Sequence, residues 1–341
     1  MQIHDLIAAP ANVHWGYFDH ALRPALEVDP GDVVRIETIT HQAGDAPDLM
    51  MDDAIREIFA HVTDRGPGPH LLTGPVFVRG AQPGDTLEVT ILSLEPRLPY
   101  GANLAAHWGH LYEEFGKERV TIYGFDLDAG LAHAEFAYDW TLTPLADAPG
   151  IVVPPESITA VPALEGVHLP LRPHFGTMGV APAAPGRHSS VPPGDHGGNI
   201  DNWRIGAGAT MHYPVLVEGA LLSAGDPHVS QGDGEVSGTA LESSLTGLLR
   251  IDVRRDLGFG YPVMETPTSW TVHGFGDDLD AAMKQAALRL VDLICARFGT
   301  SRDDAYSLMS VACDFVVTQV VDQKQGVHAT VSKQLFTGGD R

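Results

Sequence analysis

Short apolar runs punctuated by Gly and Pro set the pattern of this chain, and alternation is its dominant period. In ALEVDPGDVVRIETIT, Val28 precedes the turn Pro30-Gly31-Asp32, and Val34, Ile36 and Thr38 alternate after it, which reads as a hairpin. GPVFVRGAQPGDTLEVTILSLEP (74–96) repeats that plan around Pro83-Gly84-Asp85. Between them MDDAIREIFAHV (51–62) reads as a short helix, and residues 100–150 offer one strand near 120–125. The period changes at Gly276. Leu279, Met283, Ala286, Ala287, Leu290, Leu293 and Ile294 recur at helical spacing, Asp277 or Asp278 offers an N-cap, and Gly299 a stop. Ser301 with Asp304 opens a second helix as a capping box, and FVVTQVVD and HATVSKQLF read as closing strands. The pattern predicts a mainly β protein: a β-sandwich core plus a smaller C-terminal α+β region that contains the helices. The expected division is an N-terminal β-rich domain over 1–160 and a second β-rich region over 161–341 that carries the α+β part.

A third segment, PVLVEGALLSAGDPHVSQGDGEV, follows the plan of the first two and is expected to form another strand–Gly-Asp–strand hairpin of the sandwich. Its second half breaks the rule. Where an alternating apolar strand should follow Gly225-Asp226, the chain places His228, Gln231, Asp233 and Glu235. Such rule-breaking marks functional sites. The stretch 170–210 is dense in Gly, Pro, His and Asp, and a loop of that length in a packed protein is functional or disordered. His174, Phe175, Met178, Trp203 and Ile205 argue against disorder.

Composition narrows the classes of function. The net charge of −23, from 44 acidic and 21 basic residues, repels phosphate backbones and excludes nucleic acid as a partner. No run of about 18 apolar residues exists to span a membrane, and the N-terminus lacks the basic and apolar regions of a secretory signal, so the cytoplasm is the expected compartment. The two cysteines, Cys295 and Cys313, read as free buried thiols. There is no Gly-x-Ser-x-Gly elbow, no Walker loop and no Gly-x-Gly-x-x-Gly, which sets aside serine hydrolases of that type and nucleotide cofactors.

Between 195 and 242 stand Asp195, His196, Asp201, His212, Asp226, His228, Asp233, Glu235 and Glu242. Asp226 and His228 are two apart, so on a strand they share a face and can reach one ion. Asp233 and Glu235 repeat the spacing. His196 and Asp201 flank Gly197-Gly198-Asn199, a turn able to bring them together. Mixed imidazole and carboxylate donors suit Zn²⁺, with Mn²⁺ or Fe²⁺ as alternatives; aspartate-rich loops also suit Ca²⁺, which histidines fit poorly. The competing reading is turn formers and solvated carboxylates in an acid-rich chain.

HFGTMGV (174–180), the run from Asp195 to Glu242, HLLTGPVFVRGAQPGDTLEVTI (70–91), the opening VHWGYFD and the closing AYSLMSVACDFVVTQVVD together resemble the acetamidase/formamidase family. The resemblance spans nearly the whole chain. It implies a β-sandwich with an added α+β part, hydrolysis of short amides to acid and ammonia, a divalent metal that is often zinc, and a homo-oligomer. Carried over, the family's elements fall on His70, on Gly197, Gly198, Asn199 and Asp201, on Asp226 and His228, and on Gln231, Asp233 and Glu235. The metal ligands expected are Asp201, Asp226, His228 and His196. Glu235 is the expected general base, Asn199 and Gln231 the expected oxyanion donors, and His70 a further member of the catalytic set. THQAGDAPD (40–48) departs from the family's pattern, and His107, Trp108, His110, Tyr112 and Trp140 bring a local chemistry able to reshape the pocket. The rival readings are a β-domain that binds metal or amide without turnover, and a hydrolase of a different C–N substrate.

Overall fold

The alternating runs become strands, but the Gly-Asp turns do not close hairpins. In the computed structural model, which describes residues 1–41, 53–140 and 155–336, the strand Leu26–Val28 pairs in parallel with Leu71–Val78. Asp32–Thr38, just past the turn, joins the other sheet between Ile3–Leu6 and Leu245–Arg254. The second copy behaves alike: Leu71–Val78 lies in one sheet and Thr86–Pro96 in the other. In the third, Gly225-Asp226 is no turn at all but lies inside the strand Leu222–Ser230. The physical reason lies in the burial. Leu71–Val78 is covered on both faces along nearly all its length, so the turn after it carries the chain across to the facing layer.

Among the described residues the first sheet runs Ile3–Leu6, Asp32–Thr38, Leu245–Arg254, Thr86–Pro96, Thr210–Pro214, Val263–Glu265, Ser269–Gly276, Gln325–Ser332, Cys313–Gln319. The second has Leu222–Ser230 near its centre, paired with His174–Gly179, Leu71–Val78 and Leu241–Glu242. Strands from before and after residue 160 alternate within both sheets, so the 1–160 and 161–341 division follows no break in either. Between the sheets Val34, Ile36, Leu87, Val89, Leu249 and Ile251 meet Val76, Val78, Phe175, Met178 and Leu222 in one buried cluster. Truncating such a side chain to Ala costs about 2–5 kcal/mol.

The region 100–140 holds more than the one expected strand. Tyr100–Ala105, Glu118–Asp126 and Leu131–Trp140 form an antiparallel meander. The helix Asp53–His61 falls inside the expected 51–62, of which 51–52 lie outside the described residues. The helix Leu279–Phe298 begins where Asp278 accepts from the Ala281 N–H at 2.7 Å and ends at Gly299 in the left-handed region (φ 68°). Its packing face differs from the expected stripe. Leu279 and Met283 are exposed, while Ala282, Ala286, Leu290, Leu293 and Ile294 are buried. Gly274 explains this: a Cβ there would lie 2.2 Å from the Ala282 carbonyl oxygen. The helix sits so close to its sheet that only small side chains fit at the contact. Ser301 caps the next helix, Arg302–Ala312, accepting from the Asp304 N–H at 3.1 Å. Cys295 and Cys313 are free, and half-buried rather than buried.

Candidate active site

The strand Leu222–Ser230 is buried along nearly its whole length and positions the first two donors. Asp226 and His228 point the same way, as their spacing requires: His228 Nε2 lies 3.2 Å from Asp226 Oδ2. Cross-strand pairing then adds partners. Glu242 stands opposite His228 in the register and brings its Oε1 to 3.1 Å from the same nitrogen. His174, opposite on the other side, lies 3.2 Å from His228 Nδ1. Asp201 Oδ1 is 3.9 Å from that Nδ1. Just before the neighbouring strand, His70 Nε2 approaches Asp226 Oδ2 at 3.8 Å, its Nδ1 held by Ser190 Oγ at 2.8 Å, and His41 Nδ1 lies 3.8 Å from Asp226 Oδ1. Asp322 completes the set, because Gly234 pairs with Thr318 and Gln319 and ties the Glu235 loop to the end of the strand Cys313–Gln319.

Ligand atoms of four overlapping trios each lie within 4.8 Å of one another: His41, His70 and Asp226; Asp201, Asp226 and His228; His228, Glu235 and Glu242; Asp201, Glu235 and Asp322. The donors face a cavity of about 440 Å³, which Asn199 also lines.

Five carboxyls buried together cannot all ionise unaided, since burial and like charge both favour the neutral form. The acids of this cluster follow that rule. Burial, then the neighbouring charges of Asp322 and Asp226, holds Asp201 well above the usual carboxylate range. Glu235 is raised by burial and by Asp201, and Asp322 by burial and by Glu235. Glu242 is pushed up to about 7 by burial, against the pull of His228. Asp226 is the exception: burial opposes its ionisation, but His70 and His228 together hold it below the usual range. Burial lowers His228, yet Glu242 and Asp226 outweigh it and raise the imidazole well above its ordinary value. His41 is lowered to about 3, by burial first and then by the neighbouring His70, against the pull of Asp226.

The residues fit a divalent cation. His41 Nδ1, Asp201 Oδ1, Glu235 Oε2, Glu242 Oε2 and Asp322 Oδ2 are buried without a hydrogen-bond partner, and buried polar atoms are ordinarily paired. Nitrogen and carboxylate oxygen are the donors that zinc or manganese accepts. The space among them is kept open by Gly176, where a Cβ would lie 2.5 Å from Asp201 Oδ1 and 2.6 Å from Asp226 Oδ2.

Of the residues expected from sequence, Asp201, Asp226, His228, Glu235, His70 and Asn199 come together here. His196 does not. Its ring packs edge-on against Phe18 at 5.0 Å, outside the donor trios found among the described residues. Gln231 is nearby, but both ends of its amide are committed: Nε2 donates to the Asp201 carbonyl oxygen at 2.6 Å, and Oε1 faces His174 Nε2 at 2.7 Å. It holds donors in place, with one of its two N–H groups spent on the Asp201 carbonyl. Asp233 leaves the strand face to pair with Arg204 at 2.6 Å and Trp203 at 3.0 Å. Three donors went unassigned in the sequence. Glu242 stood among the candidates. His41 falls in the departing stretch 40–48, of which 42–48 lie outside the described residues, and Asp322 is signalled only by a lone Asp closing the apolar run FVVTQVV.

Fold and site together define a class: a two-sheet β scaffold whose buried carboxylates and imidazoles converge on one polar cavity. The profile of the acetamidase/formamidase family matches residues 9–190 and 183–336. A formamidase of Methylophilus methylotrophus is 27% identical over 341 residues, covering 84% of this chain and 79% of that protein. An acetamidase of Mycolicibacterium smegmatis is 30% identical over 264 residues, covering 67% of this chain and 62% of that one. The crystal structure of an acetamidase from Bacillus halodurans superposes with a TM-score of 0.75 at 26% identity, covering 98% of both chains. A gamma lactamase from Delftia acidovorans, 22% identical with a TM-score of 0.59 over 98% of this chain and 93% of its own, shares the fold. The chain belongs to the acetamidase/formamidase family, and it is an amidohydrolase. Among the described residues no helix is long and apolar enough to cross a membrane.

Proposed function

We propose that this protein hydrolyses amides of short carboxylic acids, formamide and acetamide among them, to the acid and ammonia, with a divalent cation held by the donor cluster. The observation that carries the reading is the convergence of partnerless buried donor atoms on one cavity; relatives named formamidase and acetamidase supply the substrate class. Asp201, Asp226 and His228 are the central donors, joined by Glu242 and by His70 or His41 in place of His196. The histidines favour zinc over calcium, with manganese next. When bound, the cation supplies Lewis acidity at the carbonyl and acidifies water.

The chain's own groups do the rest. Glu235 takes a proton from the attacking water and delivers it to the departing nitrogen, so the C–O bond forms as the C–N bond breaks and the proton leaves with ammonia. Burial and the neighbouring Asp201 raise its proton affinity, which suits it to hold the transferred proton and pass it to the nitrogen. Thr177 donates to Asn199 Oδ1, which leaves the Asn199 NH₂ for the carbonyl oxygen. We read the protein as a cytoplasmic homo-oligomer; exposed Leu111, Phe115 and Val236 near one another support self-association.

Ammonia release from formamide and acetamide, before and after chelation and with Zn²⁺ restored, tests the reading. Turnover should vanish on chelation and return with zinc. Glu235→Gln should lose about 10²–10⁴-fold in turnover while holding the metal. Turnover indifferent to the chelator overturns the metal, and normal turnover in the variant overturns the assignment of Glu235.

A further inference from the structure

The cavity has more room than the smallest amides fill. Its volume is about 440 Å³, and a water's share of liquid volume is about 30 Å³. Acetamide and an attacking water leave most of that space unfilled. A volume of this size lies in the range of pockets built for larger ligands, which bury most of an apolar body and fix it with a few polar groups.

The lining is polar where the donors stand and apolar along one wall. Pro67, Pro69, Trp108, Val191 and Val321 line it together with the donors. Collapse of this wall onto a small acyl group is blocked by what holds it. Trp108 Nε1 donates to the Gly238 carbonyl oxygen at 2.7 Å, and the His107 ring stands edge-on to the indole at 5.0 Å. The prolines lie in Gly66–Pro69, where the Gly66 and Gly68 N–H groups donate to the carbonyls of Trp15 and Gly16 at 2.7 and 2.9 Å, and Trp15 Nε1 donates to the Pro69 carbonyl at 2.7 Å. Gly66 and Gly68 leave no slack: a Cβ on either would meet Tyr17 or Ser190 at under 2.5 Å.

We infer that this wall is an acyl-binding surface with Trp108 as its plate, and that the amides this site serves best carry an apolar acyl group well beyond acetyl, of aryl or medium-chain size. The inference rests on the amide hydrolysis proposed above and deepens it. The reaction is unchanged: water adds its oxygen to the acyl carbon, the C–N bond breaks, and ammonia leaves. What changes is where the acyl group lies, against an apolar face that excludes water from the reacting carbonyl. Each methylene it buries there multiplies kcat/KM by about fourfold, and a phenyl ring by about ten- to a hundred-fold.

The experiment compares kcat/KM of the zinc-loaded protein for acetamide, butyramide, hexanamide and phenylacetamide. The expected result is a rising series, with phenylacetamide about thirtyfold or more above acetamide. Trp108→Ala should lower the phenylacetamide-to-acetamide ratio by about tenfold or more, while Trp108→Phe, which keeps an aromatic plate and loses only the N–H, should hold it within about threefold. Val191→Trp, which fills the cavity, should turn the preference back toward acetamide. Turnover of acetamide with a flat or falling series overturns the acyl surface and leaves the amidase standing. A rising series that Trp108→Ala does not alter overturns the role of the indole. No turnover of any amide overturns the functional reading, and this inference with it.

Discussion

Gly176 offers the sharpest test of the donor cluster, because one methyl group reaches three of its members. It lies in the strand His174–Gly179, outside the left-handed region, so alanine suits the backbone. The methyl of Gly176→Ala would stand 2.5 Å from Asp201 Oδ1, 2.5 Å from His228 Cε1 and 2.6 Å from Asp226 Oδ2, where ordinary contact begins at 3.4 Å. Each side chain must retreat by about 0.9 Å or the strand must shift, whereas metal–ligand distances tolerate about 0.2 Å. A misplacement near 1 Å costs about a hundredfold in rate, or about 2.7 kcal/mol of barrier, and we expect zinc affinity to fall by at least the 10–100-fold seen when supporting shells are disturbed. Overpacking itself should lower stability by about 1–3 kcal/mol, so a control must carry that burden without touching the donors. Gly247→Ala does so, its methyl meeting Phe175 Cζ at 2.8 Å and Leu94 Cδ2 at 3.0 Å between the sheets. Zinc content by mass spectrometry, ammonia release per folded molecule and urea midpoints should separate the two: both variants less stable, Gly176→Ala alone metal-poor and inactive. If Gly176→Ala retains zinc and turns over acetamide within about threefold of the parent, the trio around it is not one working site.

Three further outcomes follow from the same contacts. His14 is fully enclosed between the Tyr17 carbonyl at 2.7 Å and Ser223 Oγ at 3.0 Å, and burial lowers it to about 4; its folded pKa lies below the unfolded value, so its contribution is whole above pH 6.5 and lost as pH falls toward 4. The urea-midpoint gap between parent and His14→Gln should therefore shrink across that window, by at most about 3 kcal/mol, and a gap independent of pH refutes the buried neutral imidazole. Ser301→Ala removes the cap on the helix Arg302–Ala312 and should cost about 1 kcal/mol in urea unfolding with zinc binding untouched. Asp226 balances the charge of His228 at 3.2 Å, so Asp226→Gly should abolish zinc retention and lower metal-free stability in urea unfolding by about 3–5 kcal/mol; zinc retained at the parent level would remove Asp226 from the donor set.

What the sequence made legible follows the range of each physical rule. Asp226 and His228 were readable as partners because the period of a strand is two and needs no tertiary knowledge. The caps at Asp278 and Ser301 were readable for the same reason, being local hydrogen bonds. His196 stands apart because closeness along the chain is not closeness in space: Gly197–Asn199 pairs with Thr177–Gly179, and His196 falls at the strand's end against Phe18 while Asp201 turns inward. Glu242, His41 and Asp322 depend on which strands pair and in what register, and no local spacing encodes that. The Gly-Asp turns teach the same limit. At Gly31-Asp32 and Gly84-Asp85 they mark where a strand ends, not which sheet the next strand joins, and Gly225-Asp226 lies inside a strand.

Strain supplies the signal that spacing lacks. Among the described residues the non-glycine positions in the left-handed region are Leu164, Asp201, Ala220, Leu221, Asp226, Glu235 and Gln323, and four of these seven line the one cavity. Each such residue costs about 1–3 kcal/mol unless its surroundings hold it, and glycine would occupy the same backbone at no steric cost. The chain has 37 glycines and places them freely at turns, yet two of these strained positions, Asp201 and Glu235, carry buried carboxyls whose charge the neighbouring histidines do not balance. Backbone strain and unbalanced burial thus fall on the same side chains, two independent penalties that a purely structural role would avoid by substituting glycine. A ligand that binds those carboxyls offsets both at once, so the protein should be least stable empty and should gain most from the cation its donors select.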